Sequence, residues 1–177
     1  NITTQKDETV KLCAGNAELD PDKPFVLAGY GDGQLHENDP ITRAQFAVLL
    51  YRSLTDDSKA VLTGSTSVFT DVYKDSWYHD AVSVFSSVDV LNGCNGFFRP
   101  NDNLTYGQFI AILTRFVDAK TASMPDVSYT AHWAYKNIMT AAAYGWIQDA
   151  ASVQPDCIVT RGEVVELVNS IFERCKQ

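Results

Sequence analysis

VFTDVYKDSWYHDAVSVFSSVDVLNGCNGFFRPNDNLTYGQFIAILTRFV, residues 68–117, decides how the chain is read. Two helix-forming stretches flank a turn-rich connector, and the connector runs into an explicit helix start. Thr105 stands as N-cap and Gln108 three residues later, so that each side chain accepts a hydrogen bond from the other's backbone N–H. Phe109, Ile112, Leu113 and Phe116 then recur at the spacing of one helix face, which predicts an apolar stripe.

The unit is repeated. ITRAQFAVLL (41–50), LTYGQFIAIL (104–113) and VTRGEVVELV (159–168) share an apolar residue, a threonine, and Gln or Glu three positions on. Thr42, Thr105 and Thr160 are spaced by 63 and 55 residues. The first half recurs too: Asp71 and Trp77 in the second copy match Asp126 and Trp133 in the third, with one extra residue between the latter pair. Each copy alone leaves an apolar face uncovered, so the copies are expected to cover one another. The first copy is degenerate. A short helix over residues 10–18 is expected there, stopped by Pro21 and Pro24.

FTDV, Trp77, NGCNGFFRPNDNLT and the helix after it, with PDV, Trp133, YGW and QPDCIVTRGE, resemble the S-layer homology (SLH) family of bacterial surface proteins. LAGYGDG followed by NDPITRAQF supplies the recognisable half of a first module. The resemblance implies an all-α fold with room for very short strands in the connectors: three tandem modules, 1–60, 61–120 and 121–177, in one compact pseudo-threefold assembly. It also implies noncatalytic anchoring to an acidic, peptidoglycan-linked secondary cell-wall polysaccharide, pyruvylated forms included, outside the cell. A surface module that binds another protein through the same scaffold is the alternative.

The family's TRAE-like segment contributes polar contacts to such a polysaccharide, and its basic position is kept as Arg43 and Arg161 but is Tyr106 in the second copy. An arginine offers a planar fork to a carboxylate or ketal-linked acid; a tyrosine offers a ring and a hydroxyl. Asp71, Trp77, Asp126 and Trp133 complete the family-like carbohydrate-binding set. The tryptophans suit a sugar face or a buried helix anchor, and the aspartates suit recognition or a local turn. Recognition is expected to depend more on the arginine-bearing regions than on Tyr106.

The rest of the chain points away from other functions. A formal charge of −8 over 177 residues argues against nonselective nucleic-acid binding. No stretch has the length of a membrane-spanning helix, and the beginning, residues 1–7, reads as a flexible leader without a complete signal-peptide pattern. GYGDG lacks the lysine of a phosphate loop, and Gln45, Gln108 and Glu163 are explained by capping, so no catalytic constellation remains. His36, His79 and His132 are too scattered for a metal site, and no cofactor is implied. Cys13, Cys94, Cys157 and Cys175 suggest one or two disulfides in an oxidising setting, with Cys13–Cys175 the first choice because terminal copies can meet when the assembly closes.

Within the copies, Asp75 or Ser76 is the expected N-cap before Trp77, in a helix ending near Asn92, and residues 133–144 form the matching helix of the third copy. LTDDSKAVLTGSTS reads as a polar connection between copies.

Overall fold

The computed structural model describes residues 10–120 and 127–177. All three threonine starts become helices: α1 (Arg43–Arg52), α4 (Tyr106–Thr114) and α6 (Arg161–Cys175), each with a complete capping box. The N–H of Gln45 donates to Thr42 Oγ1 at 3.2 Å, and the Thr42 N–H donates to Gln45 Oε1 at 3.0 Å. Thr105→Ala should therefore cost about 1 kcal/mol, read as a shift in the urea midpoint; an unchanged midpoint would show that the cap carries no stability.

A helix start exposes further N–H donors, and here a different copy satisfies them. The first two N–H groups of α1 donate to Asp102 O (3.0 Å) and Pro100 O (2.9 Å) in the second connector. Those of α4 donate to Cys157 O and Pro155 O, both at 2.8 Å, in the third. Those of α6 donate to Asp39 O and Glu37 O, both at 2.9 Å, in the first. Just before the caps, Ile41 N–H donates to Val159 O (3.2 Å), Val159 N–H to Leu104 O (3.0 Å) and Leu104 N–H to Ile41 O (2.9 Å). These three bonds close on themselves, and all three residues are buried.

Around this cycle the apolar stripes meet. Phe46 of α1 lies edge-on to Phe109 of α4 at 5.3 Å and to Phe25 at 6.1 Å, and Phe25 in turn meets Phe172 of α6 at 6.0 Å. The remaining helices cover the outside: α3 (His79–Ser87) packs on α1, and α5 (Tyr135–Ala143) on α4. Each therefore covers the helix of the preceding copy. On α6 that place is reached by the extended Phe25 segment, whose N–H donates to Asn169 Oδ1 at 2.8 Å and whose carbonyl accepts from Asn169 Nδ2 at 3.0 Å.

The structure corrects several expectations. Residues 10–18 form no helix but carry the two-stranded hairpin β1 (Cys13–Ala14) and β2 (Ala17–Glu18), turning at Gly15 with φ +54°. Leu12 and Ala14 before the turn and Ala17 and Leu19 after it alternate inward, which buries them as strands do. The polar connection contains α2 (Asp56–Leu62), capped by Thr55 and starting with Asp56 and Asp57, which favour a helix N-terminus. α3 begins at His79 without a side-chain cap and ends at Ser87, so neither Asp75 nor Ser76 caps it and it stops well short of Asn92. The leader at residues 1–7 lies outside the described residues.

The disulfides are a further correction: Cys13, Cys94, Cys157 and Cys175 are all free thiols. The terminal copies do meet, but through Phe25 and Asn169. Cys13 is instead tied by its N–H to Phe116 O at 2.8 Å, while Cys175 is buried at the end of α6. Burial pushes both thiols up, away from the reactive thiolate.

Candidate functional site

The connectors form rigid walls. In the second copy, Asp71 accepts from the N–H groups of Phe98 and Arg99, both at 2.7 Å, and so fastens the connector to the start of its own module. Within that wall Cys94 and Phe97 pair across a two-residue turn, Asn95 (φ 52°) and Gly96 (φ 80°), the left-handed pair that tight hairpins require. Gly93 permits the closest approach, since a Cβ there would stand 2.3 Å from Phe97 O. Asp126, the corresponding residue of the third copy, lies outside the described residues.

Each TRAQ or TRGE arginine crosses to the connector that caps its helix. Arg43 Nε donates to Phe98 O (2.9 Å) and one terminal nitrogen to Asn92 O (2.8 Å), with the guanidinium 4.6 Å from the Phe98 ring centre. Arg161 repeats this on Leu35 O (3.2 Å) and Ala28 O (2.7 Å), lying 4.7 Å from the Tyr30 ring. The two differ at the third nitrogen. In Arg161 it donates to Tyr30 Oη at 3.0 Å, leaving the residue 5% exposed. Arg43 shares its groove with Cys94, and its third nitrogen makes no bond among the described residues. Burial pushes the Arg43 guanidinium down from its ordinary value, the cost of holding a charge partly away from water; an arginine nonetheless keeps its charge.

Two grooves follow. The larger, about 560 Å³, is bounded by the connector around Asn92–Asp102, the α4 side chains Gln108, Ala111 and Ile112 with Arg115 just past the end of that helix, then Arg43 and Trp133. The smaller, about 230 Å³, repeats the pattern with Leu27–Tyr30, then Gln45, Val48, Leu49 and Arg52 of α1, then Arg161 and Trp77. Trp133 and Trp77 are 60% and 64% exposed, which favours the ligand-facing reading of both over the buried-anchor one. A third groove, about 450 Å³, holds Tyr106 in the arginine's place together with Asp149 and Glu163. No lysine or arginine lines it among the described residues, and burial pushes the Tyr106 phenol up. An anionic sugar would meet carboxylates there without a counter-charge.

Sequence reasoning passes over Arg52 and Arg115, although both stand ten residues after a capping threonine and so line equivalent grooves. The matching position in the third copy is Ser170. Arg99, exposed at φ 59° beside Arg43, is passed over as well. Among the described residues no group of three His, Cys, Asp or Glu side chains comes together that could hold a metal ion, and no helix is long and apolar enough to cross a membrane.

Residues 68–110, which hold Asp71, Trp77 and the second connector, match the S-layer homology domain. Over that segment the chain is similar to the S-layer homology family. Along 97% of its length it is similar to a cellulosome-anchoring protein of Acetivibrio thermocellus, 28% identical, covering 40% of that protein. It is also similar to a middle cell wall protein of Brevibacillus brevis (25% identical, 82% of the chain, 13% of the relative). An exoglucanase XynX of Acetivibrio thermocellus is 24% identical over 84% of the chain and 14% of the relative. The chain thus spans less than half the length of these relatives. An S-layer homology domain is consistent with the helical architecture, and its matched segment builds the wall of the larger groove.

Proposed function

We propose that this chain is a noncatalytic anchor at the bacterial cell surface, binding an acidic, peptidoglycan-linked secondary cell-wall polysaccharide. Its modules are 1–60, 61–120 and 121–177, arranged about an approximate threefold axis. The closed bond cycle through Ile41, Leu104 and Val159, and the equivalent Trp133 and Trp77 grooves, support that arrangement. The observation that carries the function is the larger groove, where an arginine with an unused nitrogen and an exposed indole share one cleft. Arg43 would take the acid, Trp133 the sugar face, and Asp71 would hold the wall between them. Trp77 does the same in the second groove, Arg161 secures that groove's wall, and Tyr106 marks the third as the one that rejects acid. Asp126 is included in the binding set by its place in the repeat alone. Two working grooves on one body raise retention through effective concentration. Similarity to a named anchoring protein, a wall protein and a minor part of an exoglucanase fits a surface tether better than a shared catalytic step.

Calorimetric titration of the purified acidic polysaccharide, and of the same polymer with its carboxyl groups reduced, tests this reading. Arg43→Gln is expected to weaken the acidic polymer by about 1–3 kcal/mol and to leave the reduced one nearly unaffected. Trp133→Ala should weaken both. Parent protein that binds neither polymer but captures a surface protein would replace this reading with the interaction-module alternative.

A further inference from the structure

We propose that the smaller groove reads the acid through Arg52 rather than through the arginine of its TRGE segment. This rests on the polysaccharide reading above and assigns the acid contact within it. The TRGE arginine is poorly placed to meet a ligand. Arg161 is 5% exposed and donates to Leu35 O, Tyr30 Oη and Ala28 O, with its flat face on the Tyr30 ring. A carboxylate could reach it only by breaking bonds that hold the connector.

Arg52 is in the opposite condition. It ends α1, is exposed, lines the groove, and its side chain makes no hydrogen bond or ion pair among the described residues. Its counterpart in the larger groove, Arg115, donates to Val90 O at 2.6 Å. A cation in the last turn of a helix has an ordinary explanation in the helix dipole. That explanation covers the charge but not its surroundings. Tyr30 Oη accepts from both Gln45 Nε2 (2.7 Å) and Arg161 (3.0 Å), so its own proton remains to be donated. Trp77 supplies an indole 64% exposed in the same groove. An uncommitted guanidinium fork, a phenol with a proton to give and an open aromatic face are the complement of a sugar ring bearing a carboxylate.

The two grooves differ in where a free guanidinium lies. In the larger, Arg43 donates to two carbonyls and Arg115 to one, so both are partly spent; in the smaller, Arg161 uses all three nitrogens and the Arg52 side chain makes no bond among the described residues. The open guanidinium of the smaller groove is therefore Arg52.

The indole N–H signals of Trp77 and Trp133 report the two grooves separately in a heteronuclear NMR titration. The probes are a methyl hexopyranoside carrying a pyruvyl ketal and its carboxyl-reduced counterpart. In the parent protein both indoles should move with the acidic probe. In Arg52→Gln, the midpoint at Trp77 should rise about tenfold while that at Trp133 stays put, and Arg52→Lys should recover part of the loss. An unchanged Trp77 midpoint in Arg52→Gln, with Trp133 still responding, overturns this assignment and leaves the anchoring reading intact. A Trp77 signal that ignores the acidic probe in the parent, while Trp133 responds, overturns it as well. Silence at both indoles in the parent removes the polysaccharide reading and this inference together.

Discussion

Arg161→Gln is expected to lower stability by about 3 kcal/mol, through the loss of three charge-assisted bonds made by a buried arginine. The residue is 5% exposed, and its guanidinium reaches two carbonyls and a phenol on the connector that also caps its own helix. Glutamine cannot span all three, so acceptors on Ala28 and Leu35 lose their donors and the Tyr30 ring loses its stacked cation. The same change at Arg43 should cost roughly half as much, because Arg43 makes two such bonds and is less deeply covered. Urea unfolding of both variants gives the comparison. An Arg161→Gln protein within about 0.5 kcal/mol of the parent, or one more stable than Arg43→Gln, would mean that the buried bridge is not what holds the first connector. Binding experiments on Arg161 variants have to be read after this measurement.

Phe46→Ala should be costlier still, about 3–5 kcal/mol, and its effect should not stay in its own copy. The ring is fully buried and stands at the junction of three elements, edge-on to Phe109 of α4 and to Phe25, which passes the contact to Phe172 of α6. Amide exchange should accelerate in α4 and α6 as well as in α1, with unfolding remaining a single transition. Exchange confined to α1, with α4 and α6 as protected as before, would mean that the copies hold themselves together separately.

What can be read from the sequence is whatever lies within a few residues of its partner. The capping boxes at Thr42, Thr105 and Thr160 are local, so all three helix starts stand where the spacing puts them. α2 escapes such a reading because a seven-residue helix with only Ser58 and Leu62 buried shows almost no apolar period, although Thr55 before Asp56 and Asp57 is a usable signal. The hairpin at residues 13–18 passes for a helix because Leu12, Ala14, Ala17 and Leu19 satisfy a loose helical spacing, and only Gly15 marks the reversal. The arginines show the harder limit. Arg43 and Arg161 are bonded mainly to backbone carbonyls 49 or more residues away, and a carbonyl looks the same whatever residue carries it. Nothing in TRAQ or TRGE says which guanidinium is spent on the fold and which is left for a ligand. The difference lies in Tyr30, whose hydroxyl takes the third nitrogen of Arg161, where Arg43 finds no such partner among the described residues.

The cycle of backbone bonds through Ile41, Val159 and Leu104 has no loose end. A fourth copy spliced into the gene would find every donor and acceptor of that cycle already taken, and its own would stay unmatched in a dry interior, which is costly. Shortening by one copy would strand two of the remaining partners. Gain or loss of one such segment would therefore disturb bonds made by the others, and Ile41 holds its place in the cycle although the chain before it starts with a hairpin and not a helix.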